Sequence, residues 1–298
     1  APLGVGRLGG HDEQSLTVPW RGGALPARTY LPRGSRRRAF LLVPGIHASG
    51  VDEPRLIGFA RDLSSMGHPV LTVGPPDLAR YTISPSVTDA IEDAASWLSE
   101  QRAMAPDGRI GMMGISFAGG LSIVAAGRPS LANRVVAVLS LGGHGELPRT
   151  LRYLSTGIEV DGTRSAPHDY GVVIILLGVT DRLVPPDQVA PLRQALLTFL
   201  EASRLDLFDK TASAAEAERA LALATTLRGA PALSPALSPA PRAPVYLLHG
   251  SGDNVIPASE TVALARTLAA GGANVRALVT PLITHAEVDR AAGAADAW

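Results

Sequence analysis

Residues 109–120 read Arg109-Ile-Gly-Met-Met-Gly114-Ile-Ser116-Phe-Ala118-Gly-Gly120, and this stretch decides the fold. A short apolar run ends at Gly114. Ser116 follows, and a small-residue stretch opens a helix-like segment that runs through Ala126. This is the layout of a nucleophile elbow, a sharp strand-to-helix turn that lifts a serine hydroxyl clear of a sheet. The serine of such a turn sits at strained backbone angles, and bulky side chains two positions before and after it would collide. Gly114 and Ala118 occupy those two positions. A serine capping a helix after a buried strand would leave a similar trace, so the rest of the chain has to supply the context.

Outward from the elbow, apolar strands alternate with amphipathic helices. Residues 39–43 form a continuous apolar strand ending at Pro44-Gly45. Residues 52–66 have helical periodicity, with Leu56, Phe59, Ala60 and Leu63 on one face. Residues 69–73 form the next strand. Residues 84–101 begin with Ser-Pro, a helix start signal, and present Ile91, Ala95 and Leu98 on one side. Residues 135–141 form another buried strand, ending at Gly142-Gly143-His144. Residues 245–248 and 275–279 are two more, separated by a helix over 259–270. Strands that are apolar throughout predict a mostly parallel sheet covered on both faces, with function gathered at the carboxyl ends of its strands. Ahead of this unit, residues 15–18 and 28–31 flank a turn-rich segment and predict an antiparallel hairpin.

The middle of the chain breaks the alternation. Residues 147–170 read as irregular, 172–177 as strand-like, and 186–202 and 212–227 as helices. Pro231-Ala-Leu-Ser-Pro-Ala-Leu-Ser-Pro239 repeats a tetrapeptide and reads as a stiff extended linker. The expected organisation is a core of residues 1–146 and 243–298 with a partly helical lid inserted at 147–242. The tail after His285 is short for a closing helix, and the chain begins at Ala1, so both ends are expected to be trimmed or processed. The compartment stays open.

Composition narrows the chemistry. The 298 residues carry 27 Lys and Arg against 27 Asp and Glu. That balance gives no reason to expect nucleic acid or an acidic membrane as partner. No apolar run approaches the roughly 18 residues of a membrane span. There is no cysteine, which excludes disulfides, thiolate catalysis and cysteine metal sites. The histidines lack metal-ligand spacing and no phosphate-binding Gly-Lys loop occurs, so neither metal nor cofactor is expected.

A neutral serine hydroxyl needs a base, and the base needs an acid to orient it. In the α/β-hydrolases, whose nucleophile turn this strand-turn-helix serine resembles, the partners follow in the chain order acid, then histidine, each at the end of a strand. His285 comes after the last strand and Asp253 after the strand before it, in the loop His249-Gly-Ser-Gly-Asp253-Asn-Val-Ile-Pro257. A rival acid is Asp181, in Leu176-Leu-Gly-Val-Thr-Asp181-Arg-Leu-Val-Pro185. It is followed by lid-like helices rather than by the strand carrying His285. Strand adjacency favours Asp253 and leaves Asp181 to cap the helix near Pro186. For the oxyanion of acyl transfer, the N–H of Phe117 is one expected donor. The other comes from the loop Pro44-Gly-Ile46-His47, with Ile46 first and His47 as alternative. His47 and His144 are candidate pocket residues, and His249 is expected to support the acid loop.

These motifs resemble the α/β-hydrolase superfamily. The resemblance rests on Gly-Ile-Ser116-Phe-Ala-Gly, on His-Gly-Ser-Gly-Asp253-Asn-Val-Ile-Pro and on Thr-His285, and covers residues 39–141 and 244–288. The Gly-Gly step after the elbow is similar to dienelactone-hydrolase-like and prolyl-oligopeptidase-like members. Serine in place of the cysteine of true dienelactone hydrolases argues against that activity. Pro44-Gly45 stands where many members carry His-Gly. The resemblance implies a three-layer α/β sandwich and hydrolysis of a small-molecule carboxylic ester through an acyl-serine. An amidase or peptidase with the same residues is the alternative, and a non-catalytic binding protein of this fold a more distant one. The Leu- and Ala-rich lid fits an apolar acyl group.

Overall fold

The run Ala39–Val43 becomes an inner strand because Ala39, Leu41, Leu42 and Val43 are all buried, on both faces of the sheet, in the computed structural model. The structure describes residues 10–34, 36–204 and 230–285. Its strands are β1 (His11–Trp20), β2 (Gly23–Pro32), β3 (Ala39–Val43), β4 (Val70–Val73), β5 (Ile110–Ile115), β6 (Val135–Leu141), β7 (Val245–Gly250) and β8 (Val275–Thr280). They form one sheet in the order β1-β2-β4-β3-β5-β6-β7-β8. The hairpin β1–β2 pairs antiparallel from His11↔Pro32 to Trp20↔Gly23, and β2 meets β4 antiparallel. The remaining pairs are parallel.

The helices follow from their caps and apolar stripes. Helix α1 (Pro54–Ser65) starts with proline in the first turn, and the Glu53 carboxylate accepts from the Leu56 N–H at 2.7 Å. Its Leu56, Ala60 and Leu63 pack on Tyr30, Leu42 and Val70 on one face of the sheet. The one-turn helix α2 (Pro76–Ala79) leads to α3 (Pro85–Glu100), which buries Val87, Ala90, Ile91, Ala94, Ala95 and Leu98 at three- and four-residue spacing. Helix α4 (Phe117–Ala126) is buried along its whole length. With α3 it lies in the main core, on the other face of the sheet. Strands β3, β5, β6, β7 and β8 all run the same way, so their carboxyl ends share one edge.

Between β6 and β7 the chain carries α5 (Leu147–Thr156), α6 (Asp169–Leu183), α7 (Pro186–Arg204) and the short α8 (Ala230–Leu233). Three expectations are corrected here. Residues 172–177 are not a strand but the middle of α6, with Val173, Ile174, Ile175 and Leu177 buried in the main core. β6 pairs directly with β7, so the sheet has no slot between them. A short run rich in Val and Ile fits either state by pattern alone. Part of the segment read as irregular is α5, which starts with Pro148 in its first turn and ends on Gly157 at φ 68°. The proline repeat is not an extended linker. It folds into α8 and a 3₁₀ turn over Pro235–Leu237, with Leu233 and Ser234 buried. The helix expected over 212–227 lies outside the described residues. No helix among them is long and apolar enough to cross a membrane. Helix α9 (Ala258–Ala270) joins β7 to β8.

Candidate active site

Ser116 ends β5 and begins α4 at φ 57° and ψ −137°. Among the described residues only Ser116 and Tyr81 hold positive φ without being glycine. Holding a non-glycine residue there costs on the order of 1–3 kcal/mol, so the surroundings must fix it. They do so by close packing. The Ser116 N–H donates to the Leu141 carbonyl at 2.8 Å, and the Gly119 N–H donates to the Ser116 carbonyl at 2.7 Å. A Cβ on Gly114 would sit 2.2 Å from the Ala118 carbonyl oxygen, so no other residue fits beneath the turn.

Ser116, His285 and Asp253 come together as a single hydrogen-bonded row. His285 Nε2 lies 2.7 Å from Ser116 Oγ, and His285 Nδ1 lies 2.7 Å from Asp253 Oδ2. Asp253 follows β7 and its carboxylate is fully buried, whereas the His285 side chain is partly exposed. The other carboxylate oxygen accepts from the N–H groups of Val255 at 2.9 Å and Ile256 at 3.0 Å. Burial alone would raise the Asp253 carboxyl. The hydrogen bonds from His249 and His285 outweigh it and hold the group well below the ordinary carboxylate range. A buried carboxylate kept ionised fixes the proton of His285 on Nδ1 and leaves Nε2 as the acceptor facing Ser116.

A cavity of about 500 Å³ opens beside Ser116 and His285. Its walls are largely apolar, from Leu56 and Phe59 of α1, Met113 and Ile115 of β5, and Leu139 and Leu141 of β6. Pro44, Gly45, Ile46 and His47 line it too. A Cβ on Gly45 would stand 3.2 Å from Ser116 Cβ, which places this loop against the serine. Phe117 is the first residue of α4, where a backbone N–H has no acceptor in its own helix and the helix dipole favours negative charge.

The other candidates sort by position. His47 lines the cavity, but His144 does not. It is wholly buried behind α4, with its ring 5.4 Å from that of Phe117 and its Nε2 donating to the Leu233 carbonyl at 2.7 Å. Burial pushes its imidazole below the ordinary histidine value. Asp181 neither meets His285 nor caps a helix. It lies exposed in the last turns of α6, because α6 continues through the residues read as a strand. Among the described residues no group of three or more His, Asp or Glu could hold a metal ion.

Two contributors escaped the sequence reading. His168, ahead of α6, reaches the cavity and donates its N–H to the Asn254 carbonyl at 2.8 Å. Gly142, just past β6, has φ 60°, and a Cβ there would stand 2.6 Å from the His285 carbonyl oxygen and 3.5 Å from Asp253 Oδ2. The pair Gly142-Gly143 at a strand end was the available signal. Its meaning depends on which residue approaches from β8.

No protein-family model matches the chain, and no curated protein does. Solved structures do. An esterase of Pyrobaculum calidifontis superposes with a TM-score of 0.54 at 19% identity, over 92% of this chain and 77% of the esterase. Brefeldin A esterase, a bacterial homologue of human hormone sensitive lipase, gives 0.58 at 16% identity over 96% and 72%. Acylaminoacyl peptidase of Pyrococcus horikoshii gives 0.57 at 14% identity over 93% of this chain but only 38% of the peptidase. At these identities the likeness concerns the fold.

Proposed function

We propose that this chain, which has the α/β-hydrolase fold, is a serine hydrolase of carboxylic esters. The observation that carries the reading is the row Ser116–His285–Asp253, with both links at 2.7 Å, opening on an apolar cavity. In the proposed reaction Ser116 Oγ attacks the ester carbonyl carbon while His285 Nε2 takes the serine proton. The tetrahedral oxyanion is held by the N–H of Phe117 and by that of Ile46, with His47 as the alternative second donor. Collapse breaks the bond to the alkoxy oxygen, which leaves as the alcohol with the proton from His285. Water then attacks the acyl-serine, gives its proton to His285, and the carboxylic acid leaves as Ser116 regains its hydrogen.

Residues 147–242 act as a cap on a core of residues 1–146 and 243–298. In support, this segment is inserted in the chain between two strands that pair directly, β6 and β7, and its His168 lines the cavity. The esterases among the fold neighbours also agree with ester hydrolysis. The acylaminoacyl peptidase favours a second reading, amide cleavage by the same residues.

The leaving group separates the two. A series of p-nitrophenyl esters from acetate to decanoate, run beside the matching p-nitroanilides, reads it directly. The proposal expects the esters to be turned over at least about a hundredfold faster. It also expects kcat/KM to rise with acyl length as apolar surface is buried, by up to about 0.8 kcal/mol per methylene. Anilides cleaved as fast as the esters would overturn it in favour of the amidase reading.

A further inference from the structure

Asp253 Oδ2 faces two imidazoles. His285 Nδ1 is 2.7 Å away and His249 Nε2 is 3.1 Å away. His249, near the end of β7, is fully buried. Its Nε2 is also 2.8 Å from the Ile256 carbonyl oxygen, and its Nδ1 is 2.7 Å from Thr261 Oγ1 on α9. These partners fix the tautomer. A carbonyl and an ionised carboxylate only accept, so Nε2 must carry the hydrogen. In the neutral ring Nδ1 is then a lone pair, to which the Thr261 hydroxyl donates.

We infer that His249 is a positioning residue for the acid of the site, holding Asp253 Oδ2 in line with His285, and that Thr261, through its hydrogen bond to Nδ1, anchors the ring in that orientation. The inference rests on the reading of Ser116, His285 and Asp253 as a catalytic row. Asp253 Oδ1 is tied to N–H groups of its own loop, at Val255 and Ile256. Those bonds alone leave the carboxylate as mobile as the loop. His249 connects the second oxygen to β7, and through Thr261 to α9, which are two regular elements on either side of that loop. Such outer partners fix the orientation of the groups they touch, and in metal sites losing one typically costs 10–100-fold in activity. The same N–H helps keep Asp253 ionised against its burial.

The test compares His249→Leu, His249→Gln and Thr261→Val in the full chain. Its readouts are kcat and KM on p-nitrophenyl butyrate, the downfield proton resonance of His285 Nδ1–H, and thermal melting. His249→Leu is expected to lower kcat about 10–100-fold with KM little changed, and to shift the resonance. Glutamine can place an N–H where Nε2 was, so His249→Gln should recover most of the loss. Thr261→Val should move both readouts the same way, by less.

The inference is overturned if His249→Leu melts like the parent and keeps its kcat and resonance. It is also overturned if glutamine recovers no more than leucine does. Should the leucine variant not fold, Thr261→Val decides, and an unchanged resonance there counts against the inference. If the parent takes no fluorophosphonate at Ser116, the catalytic reading fails, while the resonance still reports whether His249 holds Asp253.

Discussion

At the residue scale, the site depends on two side chains kept where they would not otherwise rest. Ser116 is held at φ 57°, and Asp253 is held ionised with no exposure of its carboxylate. The second has measurable consequences. Asp253→Asn leaves the shape intact but gives His285 an amide that can stabilise the wrong tautomer. We expect kcat to fall about 10⁴-fold, as for the analogous change in serine proteases. Asp181→Asn, on the exposed end of α6, should leave kcat within about twofold, since surface changes of this kind are near neutral. Steady-state kinetics on both variants checks the assignment.

Stability should follow the same carboxylate. Its folded value lies below its unfolded one, so its contribution is complete above the unfolded value of about 3.9 and is lost as pH falls through the folded value. Asp253→Asn should therefore melt several degrees lower at pH 7. The gap should begin to close only below about pH 4, as followed by circular dichroism melts. A gap that stays constant from pH 7 to pH 3 would contradict the assigned shift.

At the scale of elements, the sheet's carboxyl edge brings the site together, and glycines let its strands approach. Gly142→Ala adds a Cβ 2.6 Å from the His285 carbonyl oxygen at a backbone angle that alanine resists. Displacing His285 by even about 1 Å can cost 10²-fold, so kcat should fall by roughly that factor. The melting temperature should drop by only a few degrees, reflecting about 1–2 kcal/mol of strain.

This scale also shows what the sequence made legible. Ser116, Asp253 and His285 were legible as candidates because each follows a strand, in the chain order that goes with this fold, and the structure brings the three within hydrogen-bonding distance. The strands and helices of the core could be found because each is either apolar throughout or striped. The need for Gly142 could not, since it arises from a contact between β6 and the segment after β8. Residues 172–177 were misread because tertiary packing, not pattern, chose helix for an apolar run. The proline repeat was misread for a related reason. Its turns are held by partners far away in sequence, with His144 donating to the Leu233 carbonyl and the Leu147 N–H donating to Ser234 Oγ at 3.0 Å.

At the scale of the whole molecule, one buried carboxylate ties the chain leaving β6 to the helix that follows the Asp253 loop. Glu260 of α9 is almost wholly buried. It accepts from the N–H groups of Gly145 at 3.0 Å and Glu146 at 3.1 Å, and from the Arg149 guanidinium through two nitrogens. Glu260→Ala would strand those donors. Breaking a buried pair on one side costs about 3–5 kcal/mol, so we expect the melting midpoint to fall by about 10 °C. A midpoint within about 2 °C of the parent would show that this connection is not structural.

The expectations about turnover hang on Ser116 being the nucleophile. The most direct measurement is intact mass and peptide mapping after exposure of the full chain to a fluorophosphonate, with Ser116→Ala alongside. The account predicts a single phosphonyl adduct on Ser116 in the parent and none in the variant. No adduct on the parent, or an adduct that persists in Ser116→Ala, would contradict it.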